Sequence, residues 1–460
     1  MKAIARIFDL DDRSLAAFRL VLGVLAALDT LQRLAGAGAF YSDAGVLSRA
    51  AAGEPALLKI YFLSGDAQVQ SAFLVLQLSF ALCFAAGIHA RFFGLLLYAF
   101  LGSLHFRNPL VLSGSEMLMR LMLLWSLFLP IDARFARGPQ PLRLGRWPSA
   151  VFMLQLAALY LTTVYYKAGP EWTRELSALS KALELPWIVK PAGAWLREQT
   201  GLTGPLTMVV FALELSAPLL ALLPGRPRLL ALLALFGLHA GIFLTLELGH
   251  FQFVIMAAWL AWLPAAAWAT RPGRLLERAL SRLEPPFAAR LKSASARVTA
   301  PRERALWLAA LALLAGLAAV RIVLPGDAAP GPVRAAASVL GVNQNWRMFA
   351  ASTLERLEWV SAEGDREGAA PRELLSGGPV GWREPPRLSA NYDRYLWRQY
   401  LSLLANTHGE EPAKFFAAYL CRVHEADRLT MVTIHFVNKQ NAGPLTEPAL
   451  TRSIVHACAL

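Results

Sequence analysis

The sequence predicts an all-α polytopic membrane bundle of about nine transmembrane helices, followed by a small C-terminal α+β domain on the extracytoplasmic side. Of the 460 residues, 56% are hydrophobic and only 17% are charged, whereas soluble domains carry about 25% charged residues. Several apolar runs reach the roughly 20 residues that cross the hydrocarbon core of a bilayer. The net charge of +13 comes without the basic stripe and interleaved aromatics of a nucleic-acid surface. We therefore expect the lipid bilayer, and no nucleic acid, as a partner.

The predicted bundle occupies residues 1–324 and contains nine apolar segments. The second and third are separated only by a tight turn that contains Gly87, His89 and Arg91. The segments are 15–36, 70–88, 90–106, 114–131, 150–167, 205–223, 228–246, 250–268 and 304–323.

Lysine and arginine orient the predicted bundle in the cell membrane. They precede the first segment and follow the second, fourth, sixth and eighth, whereas the loops near 107 and 247–250 are poor in them. Because cytoplasmic loops are enriched in Lys and Arg, we expect a cytoplasmic N-terminus, and nine crossings then place the C-terminal domain outside. The basic residues are Lys2, Arg6, Arg13, Arg91, Arg134, Arg137, Arg143, Arg146, Arg226, Arg228, Arg271, Arg274, Arg278, Arg282, Arg290, Lys292, Arg297 and Arg302.

The C-terminal domain is predicted at 325–460, where the apolar runs stop. Its composition and periodicity predict one helix and one strand joined by polar loops. The predicted parts are a Pro/Gly/Ala linker at 325–337, a loop within 361–388, an amphipathic helix at 391–406 and a strand at 428–438.

The three cysteines bear on redox state and on metal binding. Cys83 lies in a predicted span, whereas Cys421 and Cys458 lie in the C-terminal domain. Those two can pair if the domain faces an oxidising compartment, but the sequence does not establish the pairing. The absence of a Cys-x-x-Cys motif or a His/Cys cluster leads us to expect no metal site.

Ionisable residues within the spans are candidate functional groups, because each costs about 2.5–3.5 kcal/mol on insertion scales. Glu116 and Arg120 share a helix face and can pair. The pair is either an internal ion pair that fixes helix packing or part of a functional site. The full set is Arg19, Glu116, Arg120, Lys167, Glu214, His239 and Glu247.

Lys167 follows Tyr165 and Tyr166 at the end of the fifth span. One interpretation is a snorkelling lysine beside interfacial aromatics. The other is a desolvated lysine that loses its proton near neutral pH and acts as a base.

Several short motifs follow one another in the order of a known membrane family. They are Arg13–Arg19, Phe40–Leu47, His105–Leu110, Gly114–Glu116 with Phe128–Pro130, Lys167 with Glu171 and Trp172, His239 with Gly249, His250 and Phe251, and Asn345–Phe349. Over about residues 10–350 the chain thereby resembles the horizontally transferred transmembrane domain that vitamin K-dependent gamma-carboxylases share.

The resemblance implies a reaction and its residues. In the carboxylases a lysine ahead of an acidic-Trp pair is the proposed base that deprotonates vitamin K hydroquinone, and Lys167 holds that position. The oxygenated quinol then removes a γ-proton from a protein glutamate, carbon dioxide adds, and the quinone epoxide leaves. His239 and Glu116 are the implied supporting groups. The implied contacts to the quinol cofactor are Trp172, Tyr166, Arg120 and Phe251.

Two hypotheses follow. The first is a carboxylase-like enzyme that uses vitamin K hydroquinone or a related quinol and acts on a secreted Glu-containing protein. The second is a non-catalytic lipid- or quinone-binding scaffold, or an assembly factor. A transporter is less favoured, because the spans show neither inverted repeats nor paired broken helices.

Overall fold

The computed structural model is mostly helical and ends in a small antiparallel sheet. It describes residues 7–53, 55, 57–132, 147–185, 188–283, 301–324, 328–343, 346–350, 356–382, 394–407, 409–440 and 447–458. Outside these ranges lie Lys2, Arg6, Arg134, Arg137, Arg143, Arg146, Arg290, Lys292, Arg297, Asn345 and the first residues of the helix predicted at 391–406.

The first part of the bundle contains helices whose starts are fixed by side-chain caps. Asp11 and Asp66 accept hydrogen bonds from the first backbone N–H groups of two of them, which satisfies donors that have no partner inside the helix. Ser113 and Glu116 form a reciprocal capping box at a third. The helices are α1 (Asp12–Leu34), α2 (Ala37–Tyr41), α3 (Arg49–Ala52), α4 (Ala67–Ala85), α5 (Ala90–Arg107) and α6 (Gly114–Ser126).

The second part alternates long helices with short ones. Proline occupies the first turn of several of them, where its missing N–H costs nothing. The helices are α7 (Trp147–Tyr166), α8 (Pro170–Thr173), α9 (Ala178–Ala182), α10 (Pro191–Glu198), α11 (Thr200–Ala221), α12 (Arg226–Thr245), α13 (Phe251–Leu260), α14 (Ala265–Trp268), α15 (Arg271–Ser281) and α16 (Pro301–Val323).

Each of the nine predicted spans falls on a helix, but the count of nine is not confirmed. Among the described residues, six helices are long and apolar enough to cross a membrane, namely α1, α4, α7, α11, α12 and, over Ala305–Val323, α16. The other three predicted spans fall on α5, α6 and α13. Of these, α6 has 13 residues and α13 has 10, which is short for an unassisted crossing.

The described residues next to the basic loops meet at one end of the bundle, which we call the basic end. Arg13 Nη1 lies 3.6 Å from Glu277 Oε2 on α15. Arg228, at the start of α12, donates to the carbonyl of Ile7 at 2.5 Å. Arg91, in the first turn of α5, donates to the carbonyl of Leu129 beyond α6 at 3.2 Å. Arg19 of α1 donates to the carbonyls of Ala85 at 3.4 Å and Ile131 at 3.0 Å, so the described residues before α1 and after α4, α6, α11 and α13 lie together.

The C-terminal part combines helices with a sheet of strand order β2-β1-β3-β4, antiparallel throughout. Ile434 of the central strand β3 lies opposite Ala362 on one side and Ile454 on the other. Its side chain belongs to the same core as the helices over Tyr395–Thr407 and Glu410–Val423. A disulfide joins Cys421 to Cys458. The sequence allowed this pairing but did not establish it. The elements are α17 (Gly331–Val339), β1 (Arg356–Arg366), β2 (Ala369–Glu373), α18 (Tyr395–Thr407), α19 (Glu410–Val423), β3 (Leu429–Gln440) and β4 (Ala449–Ala457).

Two local predictions in this part are wrong and two are confirmed. The linker predicted at 325–337 is partly α17, because alanines follow a proline placed in its first turn. Part of the loop predicted within 361–388 forms β1 and β2, because pairing with distant β3 overrides the polar composition. Helix α18 and strand β3 fall where the sequence predicts them.

The C-terminal part packs on the end of the bundle opposite the basic end. One continuous core holds Trp397 and Tyr400 of α18 together with Phe40 of α2 and Val111. Arg422 donates to the carbonyl of Ala44 at 3.1 Å, which ties α19 to the same surface. We call this the tail end of the bundle.

Candidate functional site

Lys167 directly follows α7 at the tail end of the bundle, and it is buried against Glu214 of α11. Its Nζ donates to both carboxylate oxygens, at 2.8 Å to Oε1 and 2.6 Å to Oε2. Only 3% of the Lys167 side chain and 10% of the Glu214 side chain are exposed. The snorkelling interpretation of Lys167 therefore does not hold, since the amine points into the protein and not toward the membrane surface.

Trp172 of α8 covers the lysine. The Lys167 Nζ lies 4.3 Å from the centre of the indole ring, which is cation–π geometry. The indole Nε1 donates to the carbonyl of Phe349 at 2.9 Å. Phe349 has a φ of +54°, a left-handed conformation that is strained for an aromatic residue. This strained turn holds its carbonyl where the indole of Trp172 needs an acceptor.

A second layer of polar aromatics lies two turns before Lys167 on α7. The Tyr160 hydroxyl is 2.5 Å from His239 Nε2 of α12 and accepts from Trp259 Nε1 of α13 at 3.0 Å. Because an indole only donates, the hydroxyl proton is free to be donated to His239 Nε2. If Nε2 accepts this proton, the N–H of the neutral imidazole is at Nδ1. That atom is buried and has no partner among the described residues. Phe251 closes this side, with its ring centre 6.3 Å from that of His239.

Replacing Tyr160 with phenylalanine is expected to destabilise the bundle by about 2–4 kcal/mol. The change leaves His239 Nε2 and Trp259 Nε1 buried without a partner, and each unsatisfied group costs about 1–3 kcal/mol. Thermal unfolding of the purified protein in detergent measures the effect. Tyr165→Phe is the matched control, because that side chain is 75% exposed; equal unfolding of the two variants would contradict the hydrogen-bond assignment.

Glu116 lies in a separate buried cluster at the start of α6. It receives the backbone N–H of Ser113 at 2.7 Å and lies 3.4 Å from Arg33 Nη2 of α1. Arg33 in turn pairs with Asp29 at 2.8 Å and donates to Tyr41 Oη at 2.6 Å. Glu116 is thus held by α1 and its own capping box.

Arg120 does not form the ion pair with Glu116 that their spacing allows. Its guanidinium donates to the carbonyl of Val339 at the end of α17. It also lies 5.2 Å from the ring centre of Tyr98 and 5.8 Å from that of Phe106. The helical spacing places both residues near one face, but each finds its partner on a different element.

Tyr395 brings the C-terminal part into the Glu116 cluster. Burial raises the pKa of its phenol above the usual value, so the phenol remains protonated and donates to Glu116 Oε1 at 3.4 Å. Its hydroxyl is also 3.1 Å from Ser113 Oγ. The ring packs against Gly249, and its centre lies 6.2 Å from that of His250.

The segment 346–350 lies between the two clusters. Phe349 contacts Trp172 at one end of it. Met348 Sδ packs 3.4 Å from the Cβ position of Gly114 beside the Glu116 cluster, and Phe251 approaches the same position at 3.7 Å. Arg347 makes a cation–π contact with Tyr166, with its Cζ 4.6 Å from the ring centre. The predicted residues therefore gather at one end of the bundle, but in two clusters.

Sequence reasoning missed two members of this site, Tyr160 and Trp259, and named Glu214 as a candidate without identifying its partner. Glu214 was visible only as a charge within a span, and nothing in its spacing identifies Lys167, 47 residues away, as its partner. Tyr160 and Trp259 look like ordinary core aromatics of apolar helices. Among the described residues no group of three or more His, Cys, Asp or Glu side chains could hold a metal ion. Comparisons with protein-family models, with curated proteins and with solved structures find no match to this chain.

Proposed function

We propose that the protein is a multi-pass membrane enzyme that deprotonates a lipid-soluble quinol at the Lys167–Glu214 pair. The observation that carries the proposal is a basic and an acidic side chain buried together beneath an aromatic ring. Buried ionisable groups inside a membrane bundle are expensive and mark functional sites. A lipid-soluble substrate reaches such a site without crossing water.

The pair has two forms that hold the same number of protons. In one, Lys167 is an ammonium and Glu214 a carboxylate; in the other the proton has moved to Glu214 and Lys167 is a neutral amine. A low-dielectric environment penalises separated charges, and the protonation of such a pair belongs to the pair as a whole. The neutral amine accepts the proton of a quinol hydroxyl, and the resulting ammonium stabilises the negative oxygen that remains.

Other residues would orient the quinol. Trp172 and Phe251 offer ring faces for stacking, and His239 Nδ1 is a buried donor that lacks an acceptor among the described residues. When bound, vitamin K hydroquinone or a related quinol would supply, through oxygen, the strong base that takes a glutamate γ-proton before carbon dioxide adds. Glu116, Arg120 and Tyr166 would act from the neighbouring wall and not on the reacting oxygen.

Quinone epoxide formation tests the proposal. The protein in nanodiscs is given vitamin K hydroquinone, oxygen, bicarbonate and a glutamate-containing peptide. Epoxide is expected from the unchanged protein and at least about 100-fold less from Lys167→Ala, in the range that general bases contribute. Lys190→Ala is the control, because Lys190 pairs with Glu247 at 3.3 Å at the same end of the bundle; epoxide formation that is equal in the two variants would overturn the role of Lys167.

A non-catalytic quinone- or lipid-binding scaffold is the second candidate, and the two-oxygen contact between Lys167 and Glu214 favours it. An ammonium that donates to both oxygens of a carboxylate is also what a purely structural ion pair between the end of α7 and α11 would show. This candidate predicts no epoxide from folded protein with any quinol tested, and tolerance of Lys167→Arg.

We further propose nine crossings, a cytoplasmic N-terminus and an extracytoplasmic C-terminal domain. Support comes from the basic end, where the described residues next to five basic segments lie together, because Lys- and Arg-rich loops stay in the cytoplasm. The C-terminal disulfide supports the outer side, since disulfides persist in oxidising compartments. Helices α5, α6 and α13 connect the same two ends as the longer helices, and most residues of α6 and α13 are buried among their neighbours.

Thiol labelling in intact cells tests the orientation. Cys421 and Cys458 are expected to react with a membrane-impermeant maleimide only after an impermeant reductant is added. A cysteine introduced for Ser281, on the basic end, is expected to react only after the cells are permeabilised. The reversed pattern would contradict the orientation but would leave the quinol proposal standing.

A further inference from the structure

Helix α15 is the most strongly amphipathic exposed helix at the basic end. None of its residues is buried. Leu275 and Leu276 are 57% and 40% exposed, and Leu283, seven residues after Leu276 and two beyond the end of the helix, is 62% exposed. The remaining surface carries Arg271, Arg274, Arg278 and Arg282.

The helix is held rigidly against the bundle at its start. Thr270 caps it by accepting the Gly273 N–H at 3.1 Å. A Cβ on Gly273 would lie 2.7 Å from the Cα of Trp268, so only glycine permits this close approach to α14. Leu280 packs on the core around Trp268, while Arg13 approaches Glu277 at 3.6 Å. The exposed leucines therefore point away from the protein in a fixed direction.

The position of the helix decides what covers those leucines. It follows α13 and α14 at the basic end, beside the ends of helices that are long and apolar enough to cross a membrane. Leucines at that level meet acyl chains, and the arginines on the adjacent face meet headgroups, which is the arrangement of an interfacial helix.

We propose that α15 lies in the headgroup layer at the basic end and binds anionic phospholipid. Between Arg271 and Leu283 there are four arginines and a single acidic residue, Glu277, and that carboxylate is engaged by Arg13. Arg274 is partly occupied by the carbonyl of Ala269, which leaves Arg271, Arg278 and Arg282 for lipid phosphates. Charge complementarity thus selects anionic over zwitterionic headgroups.

Lipid affinity provides the first test. The full chain, in nanodiscs of phosphatidylcholine with and without phosphatidylglycerol, is expected to retain phosphatidylglycerol on detergent extraction. The triple variant Arg271→Gln, Arg278→Gln, Arg282→Gln is expected to lose about tenfold or more in affinity, given the contribution of each basic residue near an anionic surface. The matched control removes the same charge elsewhere, at Arg197, Arg372 and Arg428, which are exposed outside the basic end. Equal losses in the two triple variants would overturn the proposal.

Depth measurement provides the second test. Leu276→Cys, in a Cys83→Ser background, carries a fluorophore that a spin label on the lipid acyl chain quenches. Strong quenching is expected at residue 276 and none at Val423→Cys, an exposed site in the C-terminal part. A fluorophore at 276 that only an aqueous quencher reaches would place the leucine face in water and overturn the proposal, whatever the outcome for quinol turnover.

Discussion

Replacing Lys167 alone with methionine is expected to lower the free energy of unfolding by about 3–5 kcal/mol, the cost of leaving a buried charge without its partner. Glu214→Leu alone is expected to cost a similar amount, because it leaves the ammonium of Lys167 buried and unpaired. The double variant is expected to recover most of the loss, since an apolar pair of similar volume needs no counter-charge. Thermal and denaturant unfolding in detergent measure all three.

The double variant also separates the two candidate functions. Under the quinol proposal it is folded and forms no epoxide, because no amine is left to accept the quinol proton. Under the scaffold candidate it is folded and keeps its binding role. The control pair is Lys190→Met and Glu247→Leu, which removes an ion pair in which 42% of the Glu247 side chain is exposed. Exposed pairs contribute about 0–1 kcal/mol. A comparable loss in the free energy of unfolding for both sets of variants would show that the burial of Lys167 does not raise the cost of losing its partner.

The sequence predicted the positions of the apolar helices, because the length and composition of a spanning segment are local properties. An apolar run such as 304–323 is recognisable without knowledge of its neighbours, and α16 lies there. The count of nine stays a prediction, because α6 and α13 are short and packed among other helices. Their ability to cross depends on neighbours that a single-sequence window does not include.

The candidate site was harder to predict, because its pairs join distant elements. Spacing on one helix suggested Glu116 with Arg120, but the observed partners of Glu116 are Arg33 on α1 and Tyr395 on α18. Such long-range contacts leave no periodic signal. The same is true of β1, whose polar sequence became a strand only through its pairing with β3.

Gly249 allows Tyr395 of α18 to pack closely against the bundle. Its φ is +63°, and a Cβ there would lie 2.5 Å from the Tyr395 hydroxyl. Gly249→Ala therefore combines a left-handed backbone cost of about 1–2 kcal/mol with an overpacking cost of about 1–3 kcal/mol. We expect a total loss of about 2–5 kcal/mol in the free energy of unfolding, together with displacement of Tyr395 from Glu116.

Gly368→Ala separates the two costs, because Gly368, between β1 and β2, has a φ of +71° and no atom of the described residues within 4 Å of its Cβ position. It is expected to lose only the backbone contribution. Combining Gly249→Ala with Tyr395→Ala is expected to cost less than the sum of the single changes by about 1–3 kcal/mol, since residues in direct contact are not additive. Strict additivity would mean that Tyr395 does not meet the new methyl group. In that case the contact between α18 and the start of α13 would not hold the C-terminal part on the bundle.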